Sequence, residues 1–183
     1  MTDYYNSKSE RKPTKLPTVI SEEDFSKLLK ATNTPTHKLA FKLAFLCGLR
    51  ISEIIKLQPE DFDKERRLIF IRQGKGGKDR YVPYPIKFIS DKEVRLIPLY
   101  YKSVTSGSRS LEISFKDKCK TALGRTDLHF HNLRHSFATN LLSKGIPVTE
   151  VQFWLGHSRL QTTSIYLKVS PDSALKRYEE MYN

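Results

Sequence analysis

The chain has 183 residues, with 32 lysines and arginines against 20 aspartates and glutamates, a formal net charge of +12. That length suits one domain with a core of ordinary size. Positive charge on this scale points to a polyanionic partner, nucleic acid first, and exceeds what an enzyme of small phosphorylated molecules needs. The two cysteines, Cys47 and Cys119, sit in apolar-periodic stretches without a CxxC pair or zinc-like spacing, so a disulfide scaffold and a structural zinc are not expected. No apolar run has the length of a membrane span and no signal-peptide core opens the chain, so a cytoplasmic protein without a membrane partner is expected.

Residues 1–17 are polar, basic and proline-bearing, and read as a flexible arm or linker ahead of a domain over 18–183. Ser21 and Asp24 have the spacing of a helix N-cap, and Phe25, Leu28 and Leu29 supply one apolar face. Thr34-Pro35 breaks that helix. A second, apolar on most sides and therefore a core helix, starts near Thr36 and stops at Gly48. A short third helix carries Ile51, Ile54, Ile55 and Leu57 up to Pro59. Residues 67–72 have strand composition, 74–78 are turn chemistry with a lysine at the tip, and 80–83 return as a second strand, together a β-hairpin.

The stretch from Tyr84 to Gly107 holds Pro85, Pro98 and a Ser/Gly cluster, and reads as loops around at most one helix. Helices are then expected over about 110–122, 131–143, 148–155 and 159–167. They are punctuated by Gly124, Gly145, Pro147, Gly156 and Pro171, and an amphipathic tail helix follows. The architecture is mainly α with a small antiparallel β-sheet, an α+β domain.

The chemistry-bearing residues stand out only as a set. On a helix His131 and Arg134 share a face, and an imidazole beside a guanidinium makes a phosphate site: fixed charge, a fork of donors and a group that carries a proton. Taken singly, Tyr166 reads as a half-buried packing residue, Arg50 and Arg134 as solvated or salt-bridged charges, His157 as a helix-end residue, and Lys75 as a mobile loop lysine.

In order along the chain come Gly48-Leu49-Arg50-Ile51-Ser52-Glu53, then Gly74-Lys75-Gly76-Gly77-Lys78-Asp79-Arg80, then His131-Asn132-Leu133-Arg134-His135. Leu155-Gly156-His157-Ser158 and Tyr166 close the series. This series resembles the catalytic domain of tyrosine recombinases, especially the Xer-type recombinases and related phage and plasmid integrases, over about residues 18–183.

The resemblance implies cleavage and religation of double-stranded DNA through a 3′-phosphotyrosine. Arg50 and Arg134 would hold the scissile phosphate, and His131 and His157 would add hydrogen bonds. Lys75 would protonate the leaving 5′ oxygen, Tyr166 would be the nucleophile, and Glu53 would support the site from behind by orienting Arg50 or a neighbouring group. Lys78 and Arg80 are expected on the DNA backbone, and His135 within the fold. Two arginines replace the metal ions of other phosphoryl-transfer enzymes, and no Asp/Glu cluster suggests a metal site. No cofactor is expected, because the phosphotyrosine keeps the bond energy.

In this family a separate N-terminal helical domain usually closes around DNA; with only some twenty residues before Ser21, either an excised catalytic part of a longer protein or a short recombinase is expected. The resemblance also implies self-association on DNA, as dimer or tetramer, through the C-terminal helix. Strand relaxation of the type IB topoisomerase kind, and a DNA-binding regulator that keeps the fold without the chemistry, remain open as alternatives.

Overall fold

The computed structural model describes residues 18–72, 79–99 and 104–156, together with Glu180. Ser21 opens α1 (Glu22–Ala31), its hydroxyl accepting from the Asp24 amide at 3.0 Å. Three acidic residues in the first turn and Lys30 in the last suit the helix dipole. Pro35 stands at the start of α2 (Pro35–Cys47), where a missing N–H costs nothing.

From Leu39 to Cys47 every side chain of α2 except Lys42 is buried, and α2 packs on α3 (Ile51–Lys56), α5 (Val104–Leu123) and α6 (His131–Ser143). It is the axis of the core, and each large side chain it buries contributes about 1.5–3 kcal/mol. Phe41 meets Phe115 and Phe130 edge to face at 5.5 and 5.8 Å. Lys42 escapes burial of its charge by reaching Glu93 at 2.6 Å.

A single 3-10 turn over Pro59–Asp61 leads into β1 (Phe62–Asp63), a two-residue strand that the sequence reading did not anticipate. It pairs antiparallel with β2 (Leu68–Ile71), which pairs antiparallel with β3 (Arg80–Pro83) as the expected hairpin, in the order β1-β2-β3. The register sets Ile69 opposite Val82 and Ile71 opposite Arg80, so these four share the inward face; Phe70 and Tyr81 pair on the outward one.

Among the described residues between Tyr84 and Gly107 the one short helix is α4 (Asp91–Val94), but α5 begins six residues before the expected start near 110. Its Ser/Gly-rich first turns are helical because Gly107, Leu111, Phe115 and Cys119 recur every fourth residue on the buried face. Packing there outweighs weak propensity. The chain then runs through α6 and α7 (Val148–Leu155), which close a second apolar cluster of Phe137, Leu141, Ile146, Val151, Trp154 and Leu155. Among the described residues no helix is long and apolar enough to cross a membrane. The expected arm over 1–17, the helix over 159–167 and nearly all of the tail lie outside the described residues.

Candidate active site

Two glycines and two helix ends build the site. Gly48 ends α2 in the left-handed conformation, φ +66°, and a Cβ there would sit 2.4 Å from the Phe137 ring. The turn buries Leu49 and brings Arg50 to the rim at the start of α3, where its backbone N–H donates to the Glu53 carboxylate at 2.8 Å. Gly156, φ +61°, ends α7 in the same way.

Arg134, in the first turn of α6, is 3% exposed. It donates through Nη1 to the carbonyl of Gly48 at 2.6 Å and through Nη2 to the carbonyl of Leu155. Both acceptors belong to helix C-termini, whose last carbonyls lack intrahelical partners and carry the negative end of the dipole. The glycines therefore do more than end helices: they turn two carbonyls onto one guanidinium.

Glu53, 8% exposed, is the hub of the charges. Arg50 Nη1 donates to its Oε1 at 2.9 Å, and Arg80 forks onto both oxygens at 3.0 and 2.9 Å. Arg134 Nη1 stands 3.9 Å from Oε2. Burial alone would raise the Glu53 carboxyl. The hydrogen bonds and charge of Arg80, then of Arg50, overcome it and hold the pKa below its ordinary value. Arg134 is pushed down to about 9, first by burial, then by Arg50, with Glu53 opposing and Arg80 adding. It is still cationic at neutral pH.

The structure corrects one expectation here. Arg80, expected on a DNA backbone, is buried instead: it is 7% exposed, and its Nε also donates to the carbonyl of Trp154 at 2.7 Å. A buried guanidinium is tolerable only when paired and hydrogen-bonded, and the Glu53 fork with a helix-end carbonyl does both. The cause is the pleat, because Arg80 shares the inward face of β3 with Val82.

In front of Arg134 a pocket of about 220 Å³ is lined by Arg50, Ser52, Glu112, His131 and Arg134, with Leu49, Ile51 and Phe130 as its apolar wall. His131, the first residue of α6, is exposed, and its ring stands edge-on to His135 at 4.5 Å between centroids. His135 is thus at the rim rather than inside the fold. Beside the pocket lies a wider cleft of about 840 Å³ between α3 and the hairpin. Arg50, Glu53, Lys56, Asp61, Arg72 and Asp79 are among its lining residues. Arg50 and Ser52 wall both spaces.

Arg50, Glu53, His131 and Arg134 thus lie around these two adjoining spaces. Lys75, Lys78, His157 and Tyr166 lie outside the described residues. Arg72 and Asp79, the described residues on either side of the 73–78 stretch, both line the cleft. His157 follows directly on Gly156. Sequence reasoning missed Glu112, for which no local signal exists, and the buried role of Arg80. Among the described residues no group of three or more His, Cys, Asp or Glu side chains could hold a metal ion.

The phage integrase family matches residues 18–172. The chain belongs to that family. Among curated integrase relatives, the tyrosine recombinase XerA of Thermococcus kodakarensis is 36% identical over 186 residues, covering 92% of this chain and 64% of the relative. A tyrosine recombinase of Thermosipho africanus is 37% identical over 166 residues, covering 85% and 59%. The chain thus spans less than two thirds of the length of these relatives.

Among solved structures, a XerA recombinase superposes with a TM-score of 0.67 at 26% identity, over 96% of this chain and 67% of that one. The XerH site-specific recombinase, solved on its difH substrate before cleavage, gives 0.64 at 27% identity, over 87% and 52%. The mainly helical domain with its small antiparallel sheet is the fold of these integrase-family structures.

Proposed function

We propose that this chain is the catalytic part of a site-specific DNA recombinase, cutting and rejoining strands through Tyr166. The observation that carries the reading is the convergence of Arg50, Arg134 and His131 on one pocket, with Glu53 and two helix-end carbonyls fixing the arginines from behind. Of the five N–H donors of a guanidinium, Arg134 commits two to those carbonyls. A preorganised pair of cations suits the two non-bridging oxygens of a phosphodiester, whose charge grows in the transition state.

On this reading the Tyr166 phenolic oxygen attacks phosphorus. The bond to the 5′ oxygen breaks, its electron pair stays on that oxygen, and the oxygen takes a proton from Lys75. A phenol has an ordinary pKa of about 10, so the cationic pocket stabilises the phenolate while His131 accepts the nucleophile's proton. The reverse attack by a 5′ hydroxyl of another strand completes exchange. Duplex DNA is the partner, Lys78 meets its backbone, and His157 adds a donor to the phosphate. Copies of the chain assemble on DNA through the residues after Tyr166, within the cytoplasm.

The test is a suicide substrate: nicked duplexes carrying candidate sites, incubated with protein and read for a covalent protein–DNA adduct. Tyr166→Phe removes only the phenolic oxygen, so adduct should vanish while DNA affinity stays within about twofold, a change too small to reflect a lost phosphate contact. An adduct at normal yield from Tyr166→Phe refutes the nucleophile.

A further inference from the structure

We infer that Arg80 is the positioning residue of the arginine pair, acting by occupying Glu53 so that Arg50 and Arg134 remain available to phosphate. The inference rests on the reading above and adds a residue to it. Arg80 stands at the base of the Lys75 hairpin and makes three hydrogen bonds: two to Glu53, 27 positions away, and one to Trp154, 74 away. It therefore ties β3, α3 and the end of α7 together behind the pocket. Gly156 lies against this side chain, since a Cβ there would come within 3.1 Å of Arg80 Cδ and 3.3 Å of its Nε. The turn that precedes His157 is shaped around Arg80.

The charge arrangement gives Arg80 more than a bracing role. One buried carboxylate faces three guanidinium groups, which leaves the cluster at +2. Without Arg80 the same carboxylate would face two, and the cluster would fall to +1. Both Glu53 oxygens would lose an acceptor duty. Arg134 Nη1, now 3.9 Å from Oε2, would move in to fill one of them. An internal anion would then compete with the scissile phosphate for the groups meant to hold it. Replacing Glu53 by the neutral, isosteric glutamine removes that competitor and returns the cluster to +2.

The experiment is a double-mutant cycle on the full chain with Arg80→Met, Glu53→Gln and the double variant, read by cleavage rate at saturating DNA and by DNA affinity. Arg80→Met is expected to slow adduct formation by about 100-fold, the scale of a misplaced catalytic group, with affinity changed less than about threefold. The double variant should recover to within about tenfold of wild type, because the uncovered charge is gone. A bracing role alone predicts the opposite, since the double variant has lost more hydrogen bonds; a double variant no faster than Arg80→Met overturns the inference.

If Arg80→Met melts below the assay temperature, Arg80→Lys replaces it. Lysine keeps the charge but cannot fork, so about a tenfold loss of rate at unchanged affinity is expected, and a wild-type rate overturns the inference. Thermal stabilisation by millimolar inorganic phosphate follows the same pocket without requiring cleavage. It should be lost in Arg80→Met and regained in the double variant. A wild-type protein that forms no adduct refutes strand cleavage by this chain, while the phosphate readout still decides for or against Arg80.

Discussion

Replacing Gly48 by alanine tests how the second apolar cluster supports Arg134. The perturbation has two parts that the structure separates. At φ +66° an L side chain sits in the left-handed region, at a cost of about 1–2 kcal/mol. The added methyl would also lie 2.4 and 2.7 Å from two atoms of the Phe137 ring and 3.1 Å from Leu155 Cδ2, inside contact distance. Phe137 is 1% exposed and Leu155 4%, so neither can swing into solvent, and overpacking of this kind costs about 1–3 kcal/mol more.

The expected loss for Gly48→Ala is therefore about 2–5 kcal/mol, or roughly 5–15 °C in Tm for a domain of this size. Gly124→Ala is the internal control. It has the same φ of +66° but nothing within 4 Å of the new Cβ, so it should lose only the conformational part. Urea denaturation of both variants, with m-values checked against wild type, gives the two numbers. Equal losses at Gly48 and Gly124 would show that the packing of Phe137 against the α2 turn is not as tight as argued. Phe137 follows Arg134 by one turn of α6, and the Gly48 carbonyl is an Arg134 acceptor, so cleavage should fall more in Gly48→Ala than in Gly124→Ala.

The leaving-group proton gives a second test. Lys75→Ala should slow cleavage strongly on an ordinary phosphate but far less when the 5′ bridging oxygen is sulfur, because a thiolate leaves without protonation; equal damage on both would make Lys75 a DNA-binding residue only. A third concerns acid. Glu53 has a folded pKa below its ordinary value of 4.5, so the stability it contributes is complete above that value and is lost as pH falls through the folded pKa. Glu53→Gln should therefore flatten the acid side of the stability curve while lowering its neutral plateau, and an unchanged acid limb would contradict the pairing. A fourth concerns the tail: deletion of residues 171–183 should leave the domain folded but alter the cooperativity of assembly and cleavage on DNA. An insoluble product would place the tail in its own core, and wild-type assembly and cleavage would show that it couples nothing.

How far the sequence carried these conclusions depended on whether the deciding force was local. Helices α1, α2, α6 and α7 were legible because their caps and stops are neighbours in sequence: Ser21 with Asp24, Pro35, Gly48, Gly145 and Gly156 act on the backbone where they stand. The early start of α5 was not legible, since Gly107 and the serines around it favour a loop until the stripe through Leu111, Phe115 and Cys119 is given a core to face. Strand β1 was missed for a similar reason, because two residues carry no period and exist as a strand only by pairing with β2.

The site divides along the same line. Arg50, His131 and Arg134 were found as members of an ordered set, yet nothing in the sequence says that Arg134 ends its reach on the carbonyls of Gly48 and Leu155, 86 residues before it and 21 after. Arg80 is the instructive failure. The alternation Arg80, Tyr81, Val82 already sets it on the same face as an apolar residue, but a cationic side chain in a run with Lys75 and Lys78 reads as one that meets the DNA backbone. What reverses that reading is a carboxylate 27 residues away and a helix end 74 residues away, both brought under β3 only by the completed fold. Period-2 alternation therefore outranks residue type when a charged residue is assigned to a face. The demand it creates, a buried partner for the charge, can then be sought among the carboxylates left without a surface role, and Glu53 was the one whose sequence position beside Arg50 already marked it.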